Sequence, residues 1–259
     1  MSASHRPVRR PPRAEPAKPR LAALIDFDGT VAPDDPTDRL LDRFATPEWR
    51  AVEAEWQAGR MTSRDCMQRQ AVMLRATPGE LDAAIGTIRI DPGFYDFLRL
   101  CRRRGVRVTI VSDGFDRVVR AVLERAGLSI PFYANTLEWQ GANRWRLSLP
   151  HARADCRSGA ANCKCAHGAR GGGACIVVGD GRSDFCMADR ARFVIAKGTL
   201  AEFCRARGLA HASFRNFDDA TRRLAEWLDL KADRPADAPA SRRSVRPRPN
   251  GMWGKEPGV

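Results

Sequence analysis

No stretch of the 259-residue chain approaches the ~20 apolar residues that a membrane-spanning helix needs, so no span is expected. An apolar signal core is also missing. The basic amino terminus runs straight into Pro11-Pro12-Arg13-Ala14-Glu15-Pro16, and no secretion signal is read there. No internal repeat occurs. The glycine-rich stretch 168–173 lacks the Gly-Lys-Ser/Thr ending of a phosphate-binding P-loop. The usual zinc spacing of two cysteines separated by two to four residues is absent too. Cys156, Cys163 and Cys165, with His151 nearby, follow C-x6-C-x-C, whose single intervening residue makes joint chelation awkward, so they are read as unpaired thiols. Eight cysteines in a chain this long and otherwise ordinary point to reduced thiols and a cytoplasmic setting rather than a disulfide framework.

What is abundant is positive charge, and its location matters. Of a net +13, residues 1–20 carry +5 and residues 231–259 carry +4, leaving only +4 for residues 21–230. Those two ends also hold ten of the 17 prolines. Such segments bury too little apolar surface to order themselves, so two disordered basic tails are expected. Weak contact with nucleic acid is a lesser possibility; a protein working through its basic tails is the alternative from another functional class.

The organising stretch is Leu21 to Val31. Its apolar Leu24 and Ile25 stop at Asp26-Phe27-Asp28-Gly29, as a buried strand ending in a polar turn would. From Ala32 to about residue 90 the pattern becomes helical. Thr46-Pro47-Glu48 reads as a helix start, Thr62 or Ser63 as another, and Thr77 to Glu80 has the spacing of a capping box. Three or four short helices there make a small all-α insert. Alternation of strand and helix then resumes: a helix from Asp91-Pro92-Gly93, a strand 106–111 ending at Ser112-Asp113-Gly114, a helix 115–125, and a short strand near 131–134. A hairpin 136–149, a strand 174–178 ending at Gly179-Asp180, a strand 192–195 and a helix 217–229 complete the reading. Trp139 and Trp145 flank the hairpin turn and suit cross-strand packing. The alternation implies an α/β fold with a parallel, Rossmann-like sheet.

Three strands therefore end in polar turns, at Asp26 and Asp28, at Ser112 to Gly114, and at Asp180 to Asp184. In a doubly wound sheet these carboxyl ends share one crevice. Four converging aspartates would repel one another, and a hard divalent cation resolves this; oxygen-only ligands favour Mg²⁺.

Asp26-Phe27-Asp28-Gly29-Thr30, Ser112, Lys164 and Gly179-Asp180 with Asp184 resemble, in order, the four motifs of the haloacid dehalogenase superfamily. The helical insert resembles that superfamily's C1 cap. The likeness spans roughly residues 21–230, and the chain is most similar to the phosphoserine-phosphatase-like subgroup. Asp91 to Phe94, Ser112 with Gly114, Tyr133 to Asn135 and Cys163-Lys164 also resemble its methionine-salvage enolic phosphatases.

The resemblance implies a core formed by residues 21–33 and 91–230 with the cap at 34–90. It implies Asp26 as nucleophile and Asp28 as general acid and base. It implies Mg²⁺ on the Asp26 carboxylate, the Asp28 carbonyl and Asp180. Ser112, Asp113, Gly114 and Lys164 would meet the phosphate, with Asp184 and Thr30 as supporting groups. Asp113 departs from the glycine common after the motif serine; it would meet substrate or cap the next helix. The implied activity is Mg²⁺-dependent hydrolysis of a small phosphorylated metabolite through an aspartyl-phosphate. A phosphotransferase of the same fold is the alternative. The oligomeric state is not legible.

Overall fold

Strand β1 (Ala22–Ile25) is apolar on both faces because it lies at mid-sheet, with a parallel neighbour on each side. The computed structural model describes residues 21–170 and 175–232; both basic segments expected to be disordered lie outside them, apart from Lys231 and Ala232. After β1 come α1 (Pro36–Phe44), α2 (Trp49–Gln57), α3 (Ser63–Ala71) and α4 (Pro78–Ile85), then α5 (Phe94–Arg103), β2 (Arg107–Phe115) and α6 (Asp116–Arg125). Strands β3 (Phe132–Trp139) and β4 (Trp145–Ser148) form a hairpin, followed by α7 (Lys164–Arg170) and β5 (Cys175–Gly179). A 3₁₀ turn (Arg182–Asp184) leads into α8 (Phe185–Ala188), β6 (Phe193–Ala196), α9 (Gly198–Arg207), β7 (His211–Ser213) and α10 (Phe217–Ala232).

The strands are ordered β4-β3-β2-β1-β5-β6-β7, parallel except for β4. Period-two alternation divides the core between the two faces. Ala23 and Ile25 of β1 join Ile176 and Val178 of β5 beneath α5, α6 and α10. Leu24 and Val177 face the other way, onto α8 and α9. Phe94, Phe97 and Phe217 lock α5 to α10, with edge-to-face ring centroids 4.7 and 5.3 Å from Phe217. Each such ring or branched side chain, fully buried, contributes roughly 1.5–3 kcal/mol.

Helices α1–α4 occupy the interval between β1 and α5. Asp35 caps α1 by accepting from the Asp38 amide at 3.0 Å, Thr62 caps α3, and Thr77 with Glu80 closes a capping box on α4. Their Leu40, Leu41, Trp49 and Leu81, with Leu74 from the link between α3 and α4, extend the same apolar cluster that backs β1. Trp145 of β4 reaches into it, its indole N–H donating to the Ala76 carbonyl at 2.9 Å. Trp145 pairs across the hairpin with Trp139, ring centroids 5.1 Å apart, the packing the sequence suggested.

Several boundaries differ from the sequence reading. Strand β2 does not stop at Ser112 but runs to Phe115, which pairs with Asn135 past an irregularity in register. The polar residues there are held extended by partners from elsewhere in the fold rather than released into a turn. The short strand near 131–134 and the first hairpin strand are one element, β3, parallel to β2 and antiparallel to β4. Thr46 to Glu48 form a turn ahead of α2 and no side chain caps that helix. Helix α9 and edge strand β7 were not anticipated.

Candidate active site

Register brings the three polar turns together. Ile25 is level with Ile110 of β2 and Val178 of β5, so Asp26, Ser112 and Asp180 follow within two residues of one line across the sheet. The Asp26 amide continues the ladder, donating to the Val178 carbonyl at 2.9 Å. The crevice at the carboxyl ends of parallel strands is where open α/β sheets take ligands.

Lys164, at the start of α7, lies buried between carboxylates. Its ammonium is 2.7 Å from Asp26 Oδ2 and 2.7 Å from Asp184 Oδ1, and it donates to Ser183 Oγ at 2.8 Å. Burial alone would favour the neutral amine, but Asp184, Asp26 and Asp113 outweigh it and hold Lys164 protonated, its pKa raised. The Phe27 amide donates to Asp26 Oδ1 at 2.8 Å. Both bonds orient the Asp26 carboxylate and leave lone pairs open.

Asp26, Asp180 and Asp184 each bring an oxygen within 4.8 Å of the others. Burial, then the Asp26 charge, pushes Asp180 up to about 6, against the Thr30 hydroxyl that donates to its Oδ1 at 2.9 Å. The same two causes raise Asp184 well above the ordinary carboxylate range despite Lys164. One ammonium cannot neutralise three carboxylates, two of them buried and the third, Asp180, half-buried. The uncompensated charge and the all-oxygen donor set fit a hard divalent cation such as Mg²⁺. Gly29, at φ +68°, permits the close approach: a Cβ there would stand 2.6 Å from Asp180 Oδ2.

Asp28 turns its carboxylate away from that cluster. Its Oδ1 accepts from the Thr37 amide (3.2 Å) and hydroxyl (2.9 Å), and its Oδ2 from the Ser112 hydroxyl at 2.8 Å. Burial and then the Asp26 charge raise its pKa, and the three hydrogen bonds oppose them. Ser112 Oγ in turn accepts from the Gly114 amide at 2.8 Å. Asp113 neither caps α6 nor stands free. It accepts from Ser63 Oγ of α3 at 2.6 Å and from the Asn162 amide at 2.8 Å, tying the helical insert to β2.

Above these groups lies a cavity of about 720 Å³, walled by Asp38, Glu53, Trp56 and Met67 from the insert and by Phe185 and Phe203 from the core. All the residues singled out from the sequence meet at or beside this cavity's floor. Thr37, Ser63 and Asn162 were missed. Thr37 had a usable signal, lying two residues into the helix that Asp35-Pro36 begins. Asn162, whose Nδ2 donates to the carbonyls of Ser112 (2.9 Å) and Tyr133 (3.0 Å), had none.

This strand-end crevice belongs to an α/β fold, and residues 23–189 match the haloacid dehalogenase-like hydrolase family. The chain belongs to that family and is a phosphoric monoester hydrolase. It is 32% identical over 208 residues to the 2-hydroxy-3-keto-5-methylthiopentenyl-1-phosphate phosphatase of Geobacillus kaustophilus, a match covering 77% of this chain and 93% of that one. The enzyme of the same name from Geobacillus thermodenitrificans is 28% identical, over 80% and 96%. Among solved structures, a phospho-aspartyl intermediate analogue of phosphoserine phosphatase superposes with a TM-score of 0.62 at 22% identity, covering 81% of this chain and 99% of that one. That likeness extends to the fold.

Proposed function

We propose that the chain hydrolyses a small phosphomonoester with Asp26 as nucleophile and Mg²⁺ as cofactor, beneath a cap formed by residues 34–90. The observation that carries this reading is the constellation of buried Lys164, Asp26 and Asp184 with half-buried Asp180 at the floor of a cavity large enough for a metabolite. Asp26, Asp180 and the Asp28 carbonyl would hold the ion, Asp184 sharing or bracing that set. When bound, it would screen the nucleophile from the phosphate's negative charge.

The chain's own groups do the rest. An Asp26 oxygen attacks phosphorus, an O–P bond forms and the bond to the alcohol oxygen breaks. Asp28, its pKa raised by burial and Asp26, gives its proton to the departing oxygen. Water then attacks the aspartyl-phosphate, Asp28 takes the water's proton, and the Asp26 carboxylate leaves. The Ser112 hydroxyl, free to rotate, would pass from Asp28 to a phosphate oxygen, joined by the Asp113 and Gly114 amides, while Lys164 offsets the charge developing there.

The organic part of the substrate would lie against Trp56, Met67, Phe185 and Phe203, which suits the methylthio chain in the relatives' named substrate. A second reading is an amino-alcohol phosphate such as phosphoserine, favoured by Asp38 and Glu53 beside Trp56. Phosphate release from a panel spanning both classes, with and without Mg²⁺, tests the proposal. Wild-type protein should need the ion, and Asp26→Asn should fall by more than about 10⁴-fold. An Asp26→Asn protein that turns over at the wild-type rate overturns it. Product analysis with added acceptor alcohols separates hydrolysis from transfer to another hydroxyl.

A further inference from the structure

The ladder between β2 and β3 breaks at the turn that the proposed mechanism gives to the phosphate. From the pair Val111–Tyr133 to the pair Phe115–Asn135, β2 advances four residues while β3 advances two. The excess bulges out as Ser112-Asp113-Gly114, and a bulge re-aims the side chains it carries. Here it sets the Ser112 hydroxyl 2.8 Å from Asp28 Oδ2 and the Gly114 amide 2.8 Å from Ser112 Oγ. Buried carbonyls that leave the ladder then need donors from elsewhere.

Two fully buried asparagines supply them. Asn135 Nδ2 donates to the Asp113 carbonyl at 2.5 Å. Asn162 Nδ2 spans the gap between the strands, with one N–H for the Ser112 carbonyl of β2 (2.9 Å) and one for the Tyr133 carbonyl of β3 (3.0 Å). An atom facing two carbonyl oxygens must be the nitrogen. Oδ1 is therefore turned to His167, and at 2.7 Å it accepts from the Nε2–H of that ring. His167 is buried in turn, stacked on Tyr133 with ring centroids 4.1 Å apart and edge-on to His151 at 5.2 Å. The Asn162 main-chain amide donates to Asp113 Oδ1 at 2.8 Å. Two residues further on, the Lys164 ammonium reaches Asp26 and Asp184. One short segment thus grips the bulge and delivers the ammonium.

We propose that Asn162 is a positioning residue for phosphate-ester hydrolysis. Its carboxamide holds the bulge at the offset that turns Ser112 and the Asp113 and Gly114 amides into the crevice, and His167 fixes the direction of that carboxamide. Asn162 acts only through these groups, so the inference rests on the reading that they receive the phosphate. Returning β2 to regular pairing would break both carbonyl bonds of Asn162 and carry Ser112 away from Asp28.

Asn162→Leu, close in volume but without hydrogen-bonding groups, tests this in the full chain. For the best phosphomonoester substrate, kcat and kcat/KM should fall together by about 10²-fold, as when reacting groups are misplaced by about an ångström. Orthovanadate, a trigonal-bipyramidal mimic of the transferring phosphoryl group, should lose the rise in Tm that it gives wild type. The rise given by Mg²⁺ alone should persist, because the partners of Asn162 are Ser112, Asp113, Tyr133 and His167 rather than Asp26 or Asp180. His167→Leu, which takes the donor from Asn162 Oδ1, should lower kcat about tenfold, the effect of one buried amide oxygen left unbonded. His167→Gln, whose Nε2 can stand in for the ring nitrogen, should recover most of that loss. Should Asn162→Leu fail to fold, this pair carries the test. An Asn162→Leu protein with wild-type kcat, one that loses the Mg²⁺ response along with the vanadate response, or equal activity in the two His167 variants would each overturn the proposal. An active Asp26→Asn protein refutes the proposed function itself, whereas an inactive one beside a fully active Asn162→Leu refutes only the role of Asn162.

Discussion

Replacing Lys164 by methionine removes the one ammonium that touches both Asp26 and Asp184. The side chain is 3% exposed and three of its contacts are at 2.8 Å or less. Breaking a buried ion pair by deleting one partner costs about 3–5 kcal/mol, because the remaining charge has neither water nor counter-ion. Here Asp184, already raised by burial and Asp26, can recover part of that by taking a proton, so the lower end of the range, about 3 kcal/mol, is expected. For a folded unit of some 200 residues this is a fall in Tm of roughly 6–12 °C in chelator. A cation held by Asp26 and Asp180, as proposed, would restore part of the missing charge, so millimolar Mg²⁺ should narrow the difference from wild type. Turnover should not return with it. On the proposed mechanism, losing this preorganised positive group beside the developing phosphoryl charge should lower kcat by about 10²–10³-fold. Paired thermal melts in EDTA and in Mg²⁺, with steady-state phosphate release, give both numbers. A Lys164→Met protein that melts with wild type in EDTA and keeps its kcat would refute the argument.

Further outcomes follow from other contacts. Gly114→Ala places a Cβ 2.5 Å from Asp28 Oδ2 and 2.8 Å from Thr37 Oγ1, so the Asp28 carboxylate must shift; kcat should drop about 10²-fold while circular dichroism stays native. Mg²⁺ at a hundred times its Kd should stabilise wild type by about 2.7 kcal/mol in thermal melts, and Asp180→Asn should lose most of that gain. The Asp38 carboxyl is pushed up to about 6, first by burial and then by Glu53, Asp42 and Asp28. The folded state therefore holds that proton more tightly than the unfolded chain, and stability present at low pH is lost as pH rises through about 6. Discounted for partial exposure, Asp38→Asn should stabilise the fold by about 1–2 kcal/mol at pH 8 and by nothing near pH 4. An equal gain at both pH values in denaturant titrations would contradict it.

The sequence by itself determined the strand–helix alternation and the polar strand ends. Those features are local: an apolar run that stops at Asp26, a Thr77–Glu80 box, a Gly29 that must adopt positive φ. Asp26, Asp28 and Asp180 could be singled out as candidates because desolvating like charges at the end of an apolar run is costly unless a cation or hydrogen bonds compensate. What only the tertiary structure decided depends on neighbours distant in the chain. Whether β2 ends at Ser112 or runs on to Phe115 is settled by Asp28, Ser63 and Asn162, which satisfy its polar side chains. Which carboxylates Lys164 touches follows from sheet register and from how α7 packs beside the turn after β5. A side chain's partner across more than a hundred residues leaves no periodic trace in the sequence. Propensity and spacing act within a few residues, whereas burial and charge act wherever the fold brings groups into contact.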